Sequence, residues 1–248
     1  MKRESSRCGA IVVLGLVAVV SAVCVAAQRS AGGPPARSSK EAAGEPPALR
    51  LPWEDKDEGF TLLFNGKDTT GWTYGHKSGK GYQVADGVLY CTKEDGGNLF
   101  TDKEYADFVF RFEFKLEPNA NNGVGIRAPR EGDAAYVGME IQVLDSEGPA
   151  YKDKLKPTQY HGSIYDLFPA KRGFLKPTGE WNSEEITAKG RQVTVKLNGT
   201  VIVDANLDDI KDEAALKRHP GLARTKGHIG FLGHGTRVEF RNMRVKEL

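Results

Sequence analysis

The longest regular pattern in the chain is an alternation. In residues 107–117, DFVFRFEFKLE, Phe108, Phe110, Phe112, Phe114 and Leu116 fall on one side and Arg111, Glu113 and Lys115 on the other. A period of two sets successive side chains on opposite faces of an extended strand, so one face is predicted to meet a core and the other water or a polar neighbour. Residues 192–204, QVTVKLNGTVIVD, read as two β-rich runs joined by Asn198-Gly199, the pair preferred in a type I′ hairpin turn. Residues 228–233 (HIGFLG) and 237–245 (RVEFRNMRV) repeat the logic around Gly235. Short strands are also predicted in 61–68 (TLLFNGKD) and on both sides of Asp86-Gly87 in 83–92. A single short helix is predicted, near 208–217. Many strands without alternating helices predict an all-β fold, a sandwich of two packed antiparallel sheets. The irregular stretches 128–135 and 146–179 then belong at one edge of it, and loops held on a rigid scaffold are where chemistry is usually found.

The N-terminal part of the 248-residue chain has a different character. Lys2, Arg3 and Arg7 precede an apolar run over about residues 10–25, and Val25-Ala26-Ala27 then offers small residues. That order predicts a secretory signal over 1–27, cleaved after Ala27; retention as a membrane anchor is the alternative. Residues 28–52 are rich in Ala, Gly, Pro and Ser and cannot bury enough apolar surface to offset their ordering entropy, which predicts a disordered tether. Residues 53–248 are left as one domain of an exported protein, periplasmic or extracellular. Two of the three cysteines, Cys8 and Cys24, fall in the signal, so Cys91 has no intramolecular partner. The formal charge is +2 with both signs interspersed, which argues against a nucleic-acid partner.

Candidate chemistry centres on residues 136–145, YVGMEIQVLD. Glu140 and Gln142, about 6.7 Å apart along an extended strand, share one face, while Met139, Ile141 and Val143 fill the other. A carboxylate on a strand that otherwise reads as buried is costly unless a cleft or a partner offsets it. Asp145 joins Glu140 only if one extra residue is bulged in between them. Shortly after comes YHGSIYDLFPA at 160–170, where His161, Tyr165 and Asp166 supply proton-transfer or ligand groups and Gly162 permits close approach of a ligand. In GEWN at 179–182, Trp181 is available to stack on a sugar ring and Glu180 and Asn182 to bond its hydroxyls. Arg127, in NNGVGIR, can pair with Glu140 if it points into the same cleft. His234 sits at a glycine-flanked turn. Glu140, Asp145, His161 and His234 are of metal-ligand type, although no short ligand spacing ties any two together.

The segments 59–72 (GFTLLFNGKDTTGW), 82–90, 105–116, 121–127, 138–145, 161–170, 179–182, 197–202 and 227–245 together resemble the 3-keto-disaccharide hydrolase domain family, in that family's order. The phrase LFNGKD followed by GW is the most characteristic. The resemblance implies a concanavalin A-like jelly roll in an exported bacterial protein, acting on glycosides already oxidised at sugar carbon 3. A second comparison is with laminarinase-type β-glucanases, which carry Glu-x-Asp-x-x-Glu on a bulged strand; here that spacing reads Glu140, Gln142, Asp145.

A ketone at carbon 3 acidifies the hydrogen on carbon 2. A base can then remove that proton, the enolate can expel the group on carbon 1, and water can add to the unsaturated sugar afterwards. Such a site needs a base, a stabiliser for the enolate oxygen and a proton donor. Glu140 or His161 is the expected base and Tyr165 or His161 the expected donor. Arg127, Gln142 or a bound divalent cation is expected at the oxyanion. The partner is an oxidised oligosaccharide or glycoside. The alternative is a lectin-like, non-catalytic carbohydrate-binding module, since the same sandwich serves both purposes.

Overall fold

The computed structural model describes residues 59–75, 81–94 and 96–248; the signal and tether expected in 1–52 lie outside them. In chain order the strands are β1 (Thr61–Leu62), β2 (Trp72–Tyr74), β3 (Tyr82–Ala85), β4 (Val88–Cys91), β5 (Gly97–Tyr105), β6 (Phe108–Leu116), β7 (Asn121–Ala128), β8 (Met139–Leu144), β9 (Trp181–Lys189), β10 (Gln192–Leu197), β11 (Thr200–Asn206), β12 (Gly227–Gly233) and β13 (Val238–Glu247). They form two antiparallel sheets. One runs β11-β10-β9-β6-β13-β4-β3, with β1 also on β13, and the other β2-β5-β12-β7-β8. This is the expected two-sheet jelly-roll sandwich.

The phenylalanine alternation explains the central strand of the larger sheet. Phe108, Phe110, Phe112 and Phe114 of β6 are fully buried. Phe110 and Phe112 meet Phe231 of the opposite sheet, whose ring lies 6.3 Å and 6.1 Å from theirs and 3.9 Å from that of Phe240. The other face of β6 is a ladder of opposite charges set directly across neighbouring strands. Arg111 opposes Glu185 (2.7 Å), Glu113 opposes Arg241 (2.6 Å) and Lys115 opposes Glu239 (2.6 Å). Each such cross-strand pair stabilises the sheet by about 0.2–1 kcal/mol.

Turns follow the local chemistry. Asn198 and Gly199 both have positive φ, 50° and 86°, and close the β10–β11 hairpin, as a type I′ turn requires. The single helix expected near 208–217 is instead a 3-10 turn, Leu207–Asp209, followed by a short α-helix, Glu213–Arg218. The break occurs because Asn206 and Asp212 each cap their own segment, accepting from Asp208 N and Ala214 N. The 128–135 stretch is not wholly irregular. It ends at α1 (Ala134–Val137), whose N-cap Asp133 accepts from Ala135 N at 3.2 Å. Cys91 is buried, and burial pushes its thiol up to about 11, so it stays protonated at neutral pH. Among the described residues, no helix is long and apolar enough to cross a membrane.

Candidate functional site

Strand β8 pairs with β7 in unbroken register, from Asn121 opposite Leu144 to Ile126 opposite Met139. Strict alternation therefore sends Met139, Ile141 and Val143 into the core, and Glu140, Gln142 and Leu144 to the far face of the smaller sheet. That face is the floor of a cleft of about 310 Å³. Asn98, Asn121, Leu232 and His234 complete the floor, and Asp133, Ala134, Ala135 and Tyr136 close one side. Tyr151, Leu155, Gln159 and Tyr165, from the excursion between β8 and β9, close the other.

Glu140 is 4% exposed. Its side chain lies across the backbone of Gly123, the residue diagonal to it on β7. Burial pushes its carboxyl up to about 8, and the charge of neighbouring Asp133 adds to the rise. With its amide nitrogen turned toward them, Gln142 donates to Glu140 Oε1 and to the Asn122 carbonyl oxygen, both at 3.2 Å. The carboxyl is thus held in place by a neutral donor rather than by a cation, and a high proton affinity survives.

Residues 162–165 run along the outer edge of β8. Gly162 N donates to Gln142 O (2.7 Å), Gln142 N to Ser163 O (3.0 Å) and Tyr165 N to Glu140 O (2.9 Å). The backbone that carries Tyr165 is therefore bonded to the backbone that carries Glu140. Gln159 Nε2 donates to the Tyr165 hydroxyl at 3.3 Å, so the phenolic hydrogen can go to another acceptor. The rings of Tyr136 and Tyr165 meet edge to face, centroids 6.4 Å apart. Burial first, then Tyr165, Asp166 and Asp133, raise the Tyr136 phenol above its ordinary range and keep it a neutral donor. Asn121 Oδ1 is buried in the floor without a hydrogen-bond partner, a group that a ligand hydroxyl would satisfy.

Of the residues expected from sequence, Glu140, Gln142, Tyr165 and His234 stand in this cleft. Arg127 does not. Between Gly125 and Ala128, β7 carries one residue more than its partner β12, and Arg127 takes φ 49° there. This bulge turns its guanidinium to Ala106 O (2.9 Å), Gly190 O (2.7 Å) and Asp107 Oδ1 (2.9 Å), where it ties two turns together. Asp145 is not beside Glu140 either, because β8 lacks the bulge that would bring it round. Its Oδ2 accepts from Asn119 N (2.8 Å).

His161 faces the sandwich interior, with its ring 5.0 Å from that of Phe114. Leu144 N donates to its Nδ1 (3.2 Å), which leaves the ring proton on Nε2. Nε2 lies 3.1 Å from Oε2 of the fully buried Glu184, too poorly aligned for a hydrogen bond. His161 thus stands outside the cleft that holds Glu140 and lines a separate cavity of about 170 Å³ with Ser146, Tyr160, Arg172 and Phe174. Gly162, with φ 78°, makes a close approach to Ile202. Trp181 lies on the charged outer face of the larger sheet, its ring covered by Arg241 (3.9 Å) and Lys115 (4.9 Å). Neighbouring Glu180 is exposed, and Asn182 is buried, accepting from Lys176 N (2.9 Å). Among the described residues, no three His, Cys, Asp or Glu side chains come together as a metal-holding group, so the expected cation has no matching set of ligands.

Asp133, Tyr136 and Gln159 were not anticipated as site residues. Asp133 carries a legible signal, a helix N-cap before Ala-Ala-Tyr-Val seven residues upstream of Glu140. Tyr136 and Gln159 carry none that separates them from packing residues.

A curated protein from Bacteroides thetaiotaomicron named 3-keto-disaccharide hydrolase is 27% identical over 244 residues, which covers 83% of each chain. Two solved structures from Parabacteroides distasonis, each titled a "putative glycosyl hydrolase", are also similar. One is 30% identical with TM-score 0.66 and covers 80% of this chain and 98% of its own. The other is 26% identical with TM-score 0.67 and covers 76% and 99%. The model of the 3-keto-alpha-glucoside-1,2-lyase-like domain matches residues 59–246, so with Glu140 and its cleft inside that span, the chain belongs to this family of sugar-cleaving domains.

Proposed function

We propose that the cleft cleaves 3-keto-glucosides by elimination across carbons 1 and 2, with Glu140 as the base. The observation that carries this reading is a carboxyl on a cleft floor whose proton affinity burial has raised to about 8. A carboxylate whose proton affinity lies near the operating pH is a better base toward a carbon-bound proton than an ordinary carboxylate. In the first step the ionised Glu140 takes the carbon 2 proton, and the C–H electron pair moves to make the carbon 2–carbon 3 enolate. Tyr136, kept a neutral phenol, donates to the enolate oxygen. In the second step that electron pair returns to form the carbon 1–carbon 2 double bond, and the bond from carbon 1 to the leaving oxygen breaks. Tyr165 gives that oxygen its proton. The products are the free aglycone and a 1,2-unsaturated 3-keto sugar, to which water can then add.

Deuterium at carbon 2 supplies the test. Elimination predicts a primary isotope effect on turnover of a 3-keto-glucoside, an initial product one water lighter than the keto sugar, and no turnover of the unoxidised glucoside. Direct displacement at carbon 1 would give no such isotope effect and would refute the scheme. A lectin-like module would need an open aromatic platform, whereas the Trp181 ring carries Arg241 and Lys115 against it.

A further inference from the structure

We propose that Gly123 is the positioning residue for Glu140: the missing side chain on β7 is the seat in which the carboxyl lies. The inference rests on the reading of Glu140 as base and adds what holds it there. A Cβ at residue 123 would stand 2.6 Å from Glu140 Cδ and 2.7 Å from its Cγ, separations that real Cβ atoms do not keep. The need is for space and not for backbone freedom, because Gly123 is not among the residues with positive φ.

The strand has little room to retreat. Here β7 is flanked by β12 and β8, and Gly123 is paired with Gln142. Its N–H is engaged by Asn122 Oδ1 at 2.9 Å, and the Asn122 carbonyl oxygen faces the Gln142 amide. A methyl group on residue 123 would therefore push the Glu140 side chain up into the open cleft. There it would regain solvent and lose the raised proton affinity that burial supplies.

Gly125 provides the control on the same strand and the same face, since it directly opposes Glu140 in the register. A Cβ there would meet Leu232 Cδ2 at 3.3 Å and Ala128 Cβ at 3.6 Å, with no Glu140 atom among its nearest neighbours.

The experiment compares Gly123→Ala, Gly125→Ala and Glu140→Gln for kcat, KM and pH profile on a 3-keto-glucoside, with melting temperatures alongside. Gly123→Ala is expected to lower kcat about 100-fold with KM little changed, the scale of a misplaced catalytic group, and to move the acid limb of the profile to lower pH. Gly125→Ala is expected to keep near-wild-type kcat and an unmoved limb. A Gly123→Ala enzyme with wild-type kcat and limb, while Glu140→Gln is inactive, overturns the positioning role and leaves the base assignment standing. An active Glu140→Gln overturns the base assignment instead, and the seat is then decided by stability alone. Gly123→Ala should destabilise the protein when Glu140 is present and should be tolerated beside Glu140→Ala, where the clashing atoms are gone. If Gly123→Ala fails to fold, recovery in that double variant supports the seat, and failure there overturns it.

Discussion

Glu140→Gln removes the titrating group and keeps the shape, so it separates chemistry from packing. The folded-state value of the carboxyl, about 8, lies above the ordinary 4.5. The folded protein thus retains a proton that the unfolded chain gives up over that interval. Stability from this source is complete below the unfolded value and is lost as pH rises through the folded one. At about 1.36 kcal/mol per unit, the interval sets a ceiling of roughly 5 kcal/mol on the loss. A glutamine has no proton to lose. Thermal unfolding from about pH 5 to about pH 9 should therefore fall more steeply for the wild type than for Glu140→Gln, with the variant relatively favoured above pH 8. Turnover should drop by about 10²–10⁴, the contribution typical of a general base. Parallel stability curves would refute the buried, proton-retaining carboxyl, and retained turnover would refute its role as base.

Other perturbations separate the cleft from its supports. Tyr165→Phe should lower kcat about 100-fold for a substrate with a poor leaving group, and much less for one whose leaving group needs no proton; equal losses would argue against the donor role. Arg127→Met leaves the carbonyls of Ala106 and Gly190 without their donor and should cost about 3 kcal/mol in chemical denaturation, while the folded fraction keeps its turnover. Trp181→Ala should lose about 1 kcal/mol of cation–π stabilisation and leave kcat/KM unchanged, which a substrate-stacking role would not allow.

The sandwich was legible because alternation is a local signal, and Phe108 to Phe114 carry it without interruption. Glu140 and Gln142 were legible for the same reason: parity along β8 assigns them one face whatever the tertiary surroundings. Asp145 and Arg127 show where parity stops helping. Each needed knowledge of which strand holds the extra residue, and the bulge lies in β7 beside Arg127 rather than in β8 beside Asp145. His161 looked catalytic because a histidine among glycines and tyrosines resembles a site. Its partner Glu184 stands on the other sheet, 23 positions later, and no spacing rule connects the two. Asp133 falls in a stretch that reads as irregular, and its electrostatic effect on Glu140 is exerted through space and does not depend on chain order.

The place of β8 at the border of its sheet has a consequence for how such a protein can change. A border strand ordinarily leaves a row of backbone groups open to another chain; here residues 162–165 occupy part of that row. The strand that carries Glu140 and the wall facing it are consequently different pieces of the chain, tied together at residues 162–165. Glu140 and Gln142 belong to the sheet, whereas Tyr151, Leu155, Gln159 and Tyr165 hang from a single connection between β8 and β9. Doubling the length of a flexible connection costs only about 0.6 kcal/mol in closure entropy. Under the proposed function, rewriting the stretch before residue 159 should therefore alter which leaving groups are admitted while Glu140 keeps its place, and grafting that stretch between relatives is a direct way to redesign selectivity.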